Sequence, residues 1–241
     1  MSRLARLSPW GRLVAVSALI VIGAAIALAI ARVASGHERL ATFVVQGSLN
    51  GVALDVGDAD VVVAGGGARA DVAVERLERF TFGHDATVRR AVRDGVFRVT
   101  SRCPKTVLHG CSVRFRIVVP DNVPVQVRTG GGDVRFSGYR GSGSVTTRSG
   151  DVRVTGFCGF SLQARSDRGS IDARATCAPQ QLTLRSTSGD VRAVVPGGRY
   201  RVDADSASGE AAVRGVRAVE DGPFGIDATS SSGDVTVEGA G

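Results

Sequence analysis

Lysine is almost missing from this chain: of 30 basic residues only Lys105 is a lysine, and the rest are arginines. Aromatic residues (5%), cysteine (four) and histidine (three) are also scarce. So few aromatic rings leave no base-stacking surface of the kind single-stranded nucleic acid needs. His37, His84 and His109 are scattered, so no Ser-His-Asp or Cys-His constellation emerges and nothing calls for a cofactor. Neither pair of cysteines has the C-x₂₋₄-C spacing of a zinc site. The 32 glycines follow no Gly-X-Y period, and 43% hydrophobic residues are too many for a disordered linker protein. What remains is a chain of 241 residues able to bury a sizeable core.

The net charge of +7 at first suggests a nucleic-acid partner, but its distribution argues otherwise. Leu13–Ala31 reads LVAVSALIVIGAAIALAIA, nineteen residues without a charge, long enough to cross a hydrocarbon core of about 30 Å. Arg3, Arg6 and Arg12 precede it and Arg32 follows, while all 23 acids lie beyond it. The positive flank predicts a single-pass signal anchor over 13–34, with a cytoplasmic tail over 1–12 and the rest extracytoplasmic, at the cell membrane. A cleavable signal peptide with an A-x-A site at Ala29 and Ala31 is the competing reading, although the apolar run exceeds the usual 7–15 residues. A lipoprotein is disfavoured, since no cysteine follows the run until Cys103. Without the four flanking arginines, residues 36–241 carry only +3, which gives no reason to expect nucleic acid.

A repeat dominates the rest. A Ser/Thr/Gly-rich turn followed by a small polar and then an apolar residue recurs as TGGGDV, RSGDV, DRGSI, TSGDV, ASGEA and SSGDV. The key glycines are Gly132, Gly150, Gly169, Gly189, Gly209 and Gly233, spaced 18, 19, 20, 20 and 24 residues apart. Two and four residues after each stand apolar side chains such as Val152/Val154 and Val191/Ala193, and seven and five before stand others such as Leu162/Ala164. The residues between them are mostly polar, which is the period-two alternation of half-buried strands. A unit this short cannot bury its apolar face alone, so the copies must stack. The predicted fold is all-β: a β-solenoid of about six coils over 119–241, with parallel pairing at about 4.8 Å and a rod on the order of 29 Å long. Each glycine is expected to supply a left-handed or strained corner conformation.

The cysteines fall into this register. Cys158 and Cys177 each lie eight residues after a key glycine, on neighbouring coils, and a 4.8 Å strand spacing lies within the reach of a disulfide. A Cys158–Cys177 bond is predicted, with Cys103–Cys111 closing a short loop between strands. Residues 35–118 read as an irregular β region that caps the first coil, with a hairpin at Asp94-Gly95. At the other end, the chain stops at TVEGAG just after a strand, which predicts an open sheet edge able to recruit another copy or another protein.

At VVPDNVPVQVRTGGGDVRFSG and the following SGDV copies, the chain resembles the bacterial putative-adhesin family, cell-envelope repeat proteins otherwise described as a domain of unknown function. The resemblance covers about Val113 to Gly239 well. It implies a solenoid-like ectodomain behind a membrane anchor and brings no catalytic residues. The departures are DRGSI and ASGEA, where Ser170 and Glu210 replace the aspartate.

Two sets of residues suggest sites. Asp133, Asp151, Asp190, Glu210 and Asp234 occupy equivalent corners, and such stacked carboxylates either bind calcium or accept hydrogen bonds from their own turn amides; Ser170 in the series and the missing GGxGxD motif favour hydrogen bonding. Arg128, Arg165 and Arg185 share the position four before a key glycine, with Thr146 between the first two, and form a stripe that could hold an anionic envelope polymer. The reading that follows is a non-enzymatic, membrane-anchored, adhesin-like binding protein of the cell envelope, with an envelope polymer or a protein as partner. A scaffold or envelope-sensing subunit acting through another membrane protein is the alternative. A polysaccharide-active β-helix enzyme comes third, for want of a carboxylate pair gathered on one face.

Overall fold

The computed structural model describes residues 9–34, 36–81, 84–105 and 110–240. Arg3, Arg6 and His109 lie outside them, as does most of the expected cytoplasmic tail. The chain runs α1 (Pro9–Ala34), β1 (His37–Val45), β2 (Gly51–Val56), β3 (Asp60–Gly65), β4 (Val72–Phe80), β5 (Thr87–Arg93), β6 (Val96–Arg102) and β7 (Cys111–Val119). It continues β8 (Val125–Thr129), β9 (Val134–Ser137), β10 (Gly143–Thr147), β11 (Val152–Phe157), β12 (Ser161–Arg168), β13 (Ile171–Ala175), β14 (Gln181–Ser188) and β15 (Val191–Val195). The final strands are β16 (Arg199–Ser206), β17 (Ala211–Arg214), β18 (Arg217–Ala218), β19 (Phe224–Ser232) and β20 (Val235–Gly239). Among the described residues no helix is long and apolar enough to cross a membrane.

Two ten-stranded sheets face each other. One, called sheet A here, has the order β1-β4-β7-β3-β9-β11-β13-β15-β20-β17; the other, sheet B, has the order β18-β16-β19-β14-β12-β10-β8-β2-β6-β5. Each coil is a sheet-B strand, a glycine corner, a sheet-A strand and a return corner. The alternation read from the sequence places Val127, Val145, Val152, Val154, Leu162, Leu184, Ile171 and Val191 between the sheets, all at 1% exposure or less. Gly143 stands where a larger inward residue belongs because the Phe136 and Tyr139 rings and Leu162 take up that space.

The structure corrects the expected six coils to eight. Within the supposed capping region, β2 pairs in parallel with β8 and β3 with β9, so Gly51–Gly65 is a full coil in register. β6 and β7 form another beneath it, also parallel. Only β1, β4 and β5 are antiparallel additions, closing that end. Ten strands per sheet make the rod about 48 Å long rather than 29 Å. At this end an inward carboxylate, Glu78, is fully buried; it accepts the Ala86 N–H at 2.5 Å and lies 3.5 Å from Arg76. Arg90 covers the Phe43 ring at 4.3 Å, so the apolar core terminates in paired charge.

The coils also do not stack in chain order. β19 lies between β14 and β16, and β20 between β15 and β17, so the last coil in sequence is second from the end in space. The other end repeats this arrangement, with the β2–β3 coil clasped between β6–β7 and β8–β9. The expected open edge at TVEGAG is therefore wrong, since β20 is paired on both sides. At this end the free edges are those of β17 and of β16 with the two-residue β18, and at the other end those of β1 and β5. Ile226, Ala228, Val235 and Val237 of the clasped coil are at most 2% exposed, whereas on the outermost coil Val213 is 41% exposed.

Candidate functional site

Three features of the rod carry chemistry: the glycine corners, the outer face of sheet B, and the return corners.

The glycine corners are held by two ladders. Asp133 N–H donates to Asp60 Oδ1, Asp151 N–H to Asp133 Oδ1 at 3.1 Å, and Ser170 N–H to Asp151 Oδ1 at 2.9 Å. Asp190 N–H then donates to Ser170 Oγ, Asp234 N–H to Asp190 Oδ1, and Glu210 N–H to Asp234 Oδ1, both latter bonds at 2.9 Å. Each carboxylate thus accepts an amide from the neighbouring coil and not, as expected, from its own turn. Asp60, in an unrecognised copy of the motif, starts the series. This bonding explains why serine can replace aspartate at 170, since its hydroxyl oxygen also accepts.

The second ladder is buried. Ser166, Ser186 and Ser230 donate their hydroxyls to the carbonyls of Gly150, Gly169 and Gly189, and Ser206 to that of Gly233. Thr129 reaches Gly57 O at 2.8 Å. A hydroxyl residue stands three positions before every key glycine (Thr129, Thr147, Ser166, Ser186, Ser206, Ser230), a regularity the sequence displays and the sequence reading missed. Replacing Ser186 with Ala leaves a buried carbonyl without a partner. A loss of about 1–3 kcal/mol in urea-unfolding stability is expected, against no more than about 0.5 for the exposed Ser149→Ala.

The glycines themselves serve close approach more than torsion. Of the six, only Gly189 and Gly233 have a positive φ, 152° and 154°. At Gly169 a Cβ would overlap the Gly150 carbonyl, and at Gly209 it would overlap the Gly233 carbonyl, in the order the coils are stacked. The expectation of a left-handed corner at all six is corrected accordingly.

On sheet B, the outward row Arg128, Thr146, Arg165, Arg185 is in lateral register. The stripe is not uniform. Arg185 is paired with Asp227 at 2.6 Å, which also raises its pKa, and Arg165 has only Asp167 at 4.0 Å. Beside this row runs a second of Gln126, Ser144, Gln163 and Thr183. Between the two lies a hollow of about 200 Å³ lined by Ser144, Thr146, Gln163, Arg165, Thr183 and Arg185. It continues through Ser144 and Gln163 into a larger one of about 430 Å³ that includes Asn50, Arg98, Gln126 and Ser161. On the outer face of sheet A, Arg114–Asp60, Arg135–Asp133, Arg174–Asp172 and Arg192–Glu238 are paired at 2.6–3.3 Å, the last pair lowering the Glu238 pKa, while Arg116 and Arg153 stand exposed without an ion pair among the described residues.

Both disulfides are present. Cys158–Cys177 joins two return corners with Cα atoms 4.7 Å apart, and Cys103–Cys111 closes the connection between β6 and β7. Under the return corners Tyr139 is fully buried and donates to Val123 O at 2.6 Å; burial pushes its phenol pKa up. Above them a pocket of about 340 Å³ is lined by Asn122, Arg140, Ser142, Phe160 and Gln180, together with the Cys158–Cys177 bridge. The sequence reading did not single out these residues, since nothing in a pattern of strands tells an exposed turn aromatic from a buried one.

Together these features define a two-sheet parallel β-solenoid with a polar groove on one face. Residues 121–238 match the family model described as Toastrack DUF4097. No curated protein matches the chain in sequence. Among solved structures, a "putative cell adhesion protein" from Clostridium sporogenes is similar over 85% of this chain and 100% of its own, at 9% identity and a TM-score of 0.49. A "putative adhesin" from Bacteroides fragilis is similar over 84% and 97%, at 13% identity and 0.33. A "putative lipid binding protein" from Parabacteroides distasonis is similar over 84% and 95%, at 11% and 0.24.

Proposed function

We propose that the protein is a non-enzymatic, single-pass membrane protein, its N-terminus cytoplasmic and its solenoid extracytoplasmic, that binds an envelope polymer along the outer face of sheet B. The observation that carries this is the groove on sheet B, a continuous run of hydroxyl, amide and guanidinium groups in which Arg165 is held only loosely by Asp167. Such groups bind hydroxyl- and acid-bearing polymers through many weak hydrogen bonds. The anchor reading rests on the uncharged run Leu13–Ala31 and its arginine flanks.

The test is titration of the full-length protein in detergent with polysaccharide fractions from the envelope. Gln163→Ala combined with Arg165→Ala is expected to weaken binding at least tenfold, while Arg192→Ala on sheet A leaves it unchanged. Equal loss from both would refute the assignment to sheet B.

A second reading, a scaffold that pairs with a protein partner, is favoured by the unpaired edges of β16 and β17.

A further inference from the structure

We infer that the return-corner pocket around Phe160 is a binding site for an acidic pyranose ring, the point at which the groove on sheet B grips a single sugar of its polymer. This rests on the polymer-binding reading above and specifies its ligand.

Phe160 is 68% exposed, and among the described residues no other phenylalanine or tyrosine is left exposed. The ring is not part of the core, so its face is open to a ligand. The turn that presents it is rigid. Cys158, two residues before it, is tied to Cys177; a Cβ at Gly159 would overlap the Gly141 carbonyl; and the Phe160 carbonyl accepts the Gln180 N–H at 2.9 Å. Rigid presentation lowers the entropy lost on binding.

Around the ring stand polar groups of differing chemistry. Arg140, on the preceding corner, is exposed and has no acidic partner among the described residues. Asn122 and Ser142 supply further donors and acceptors, and Gln180 lines the far side while its amide donates to Pro223 O. A pyranose offers a matching surface: a face of C–H groups for the electron-rich ring, hydroxyls for the amides, and a carboxylate for the guanidinium. The volume of about 340 Å³ suits one ring with its substituents. A peptide fits less well, since the corner has neither an open strand edge nor a broad apolar patch. Ser142 lines both this pocket and the larger hollow on sheet B, so a polymer held at the corner runs directly into the groove.

Trp10 is the single tryptophan of the chain, so Trp10→Phe with Phe160→Trp places one indole reporter in the pocket. The full-length protein so altered would be titrated in detergent with galacturonate tetrasaccharide, with maltotetraose as the neutral control and an Asp/Gly hexapeptide as the acidic non-sugar. A saturable emission shift with the uronate alone, or at least tenfold tighter than with either control, is expected. In calorimetry, Phe160→Ala and Arg140→Ala, each made in the otherwise unaltered protein, should weaken uronate binding about tenfold. Val213→Ala should leave it unchanged. No emission shift with the uronate, an equal shift with the hexapeptide, or undiminished binding by Phe160→Ala would each overturn the inference. If Phe160→Ala still binds envelope polysaccharide while Gln163→Ala with Arg165→Ala does not, the corner site fails and the sheet-B groove stands. If the unaltered protein binds no envelope polysaccharide, the underlying reading fails.

Discussion

Gly169→Val is expected to abolish the folded state, and Gly169→Ala to cost at least about 4 kcal/mol, because a Cβ at that position overlaps the backbone carbonyl of Gly150 on the coil beneath. Backbone cannot swing aside as a long side chain does, and moving one coil also disturbs two hydrogen-bond ladders. Ser170 N–H to Asp151 and Ser186 Oγ to Gly169 O both depend on this spacing. The effect differs from a loss of glycine's torsional freedom, for Gly169 has no positive φ. Gly197→Ala is the control: nothing lies within 4 Å of its added carbon, and a change within about 0.5 kcal/mol is expected. Urea titrations of the three variants check this. Equal midpoints for Gly169→Ala and the unaltered protein would mean that the coils are not in contact at their glycines.

The second large effect concerns the order of the coils. Thr183 lies directly beside Asp227, and Asp227 beside Asp203, so Thr183 and Asp203 are two strands apart. Cysteines introduced as Thr183→Cys with Asp227→Cys would be about 4.8 Å apart and should bridge nearly completely on oxidation. Those introduced as Thr183→Cys with Asp203→Cys, at about 9.6 Å, should not bridge. A solenoid stacked in chain order reverses both results. Non-reducing peptide mapping separates the two outcomes without relying on stability.

The interior of the rod was legible in the sequence because a coil repeats its constraints. Glycine at each corner and apolar residues at fixed offsets gave the register, and the register placed Cys158 beside Cys177. Chain order was harder to read, since a repeat shows which residues are equivalent and not which copies touch. The one irregular interval, 24 residues between Gly209 and Gly233, carries the detour through β18 that lets the last coil return inside. The N-terminal coil was hidden by Asp58-Ala59-Asp60-Val61, where alanine stands in the glycine's place.

At the candidate site the arginine row was readable and its neutralisation was not. Arg185 meets Asp227, a residue 42 positions away that becomes its neighbour only because the last coil is clasped inside. Phe160 had no periodic partner to mark it. Scarcity was a useful guide to exclusion, since few aromatics argued against nucleic acid, but the exposed Phe160 ring became meaningful only with its surroundings.

Photo-crosslinking on intact cells tests the central claim most directly, with a photoreactive side chain introduced at Gln163 in the groove or at Asp205 on the free edge. The groove reading predicts that the Gln163 probe attaches to carbohydrate-bearing envelope polymer and the Asp205 probe does not. A defined protein captured at Asp205, with nothing at Gln163, would contradict it and make the chain a scaffold.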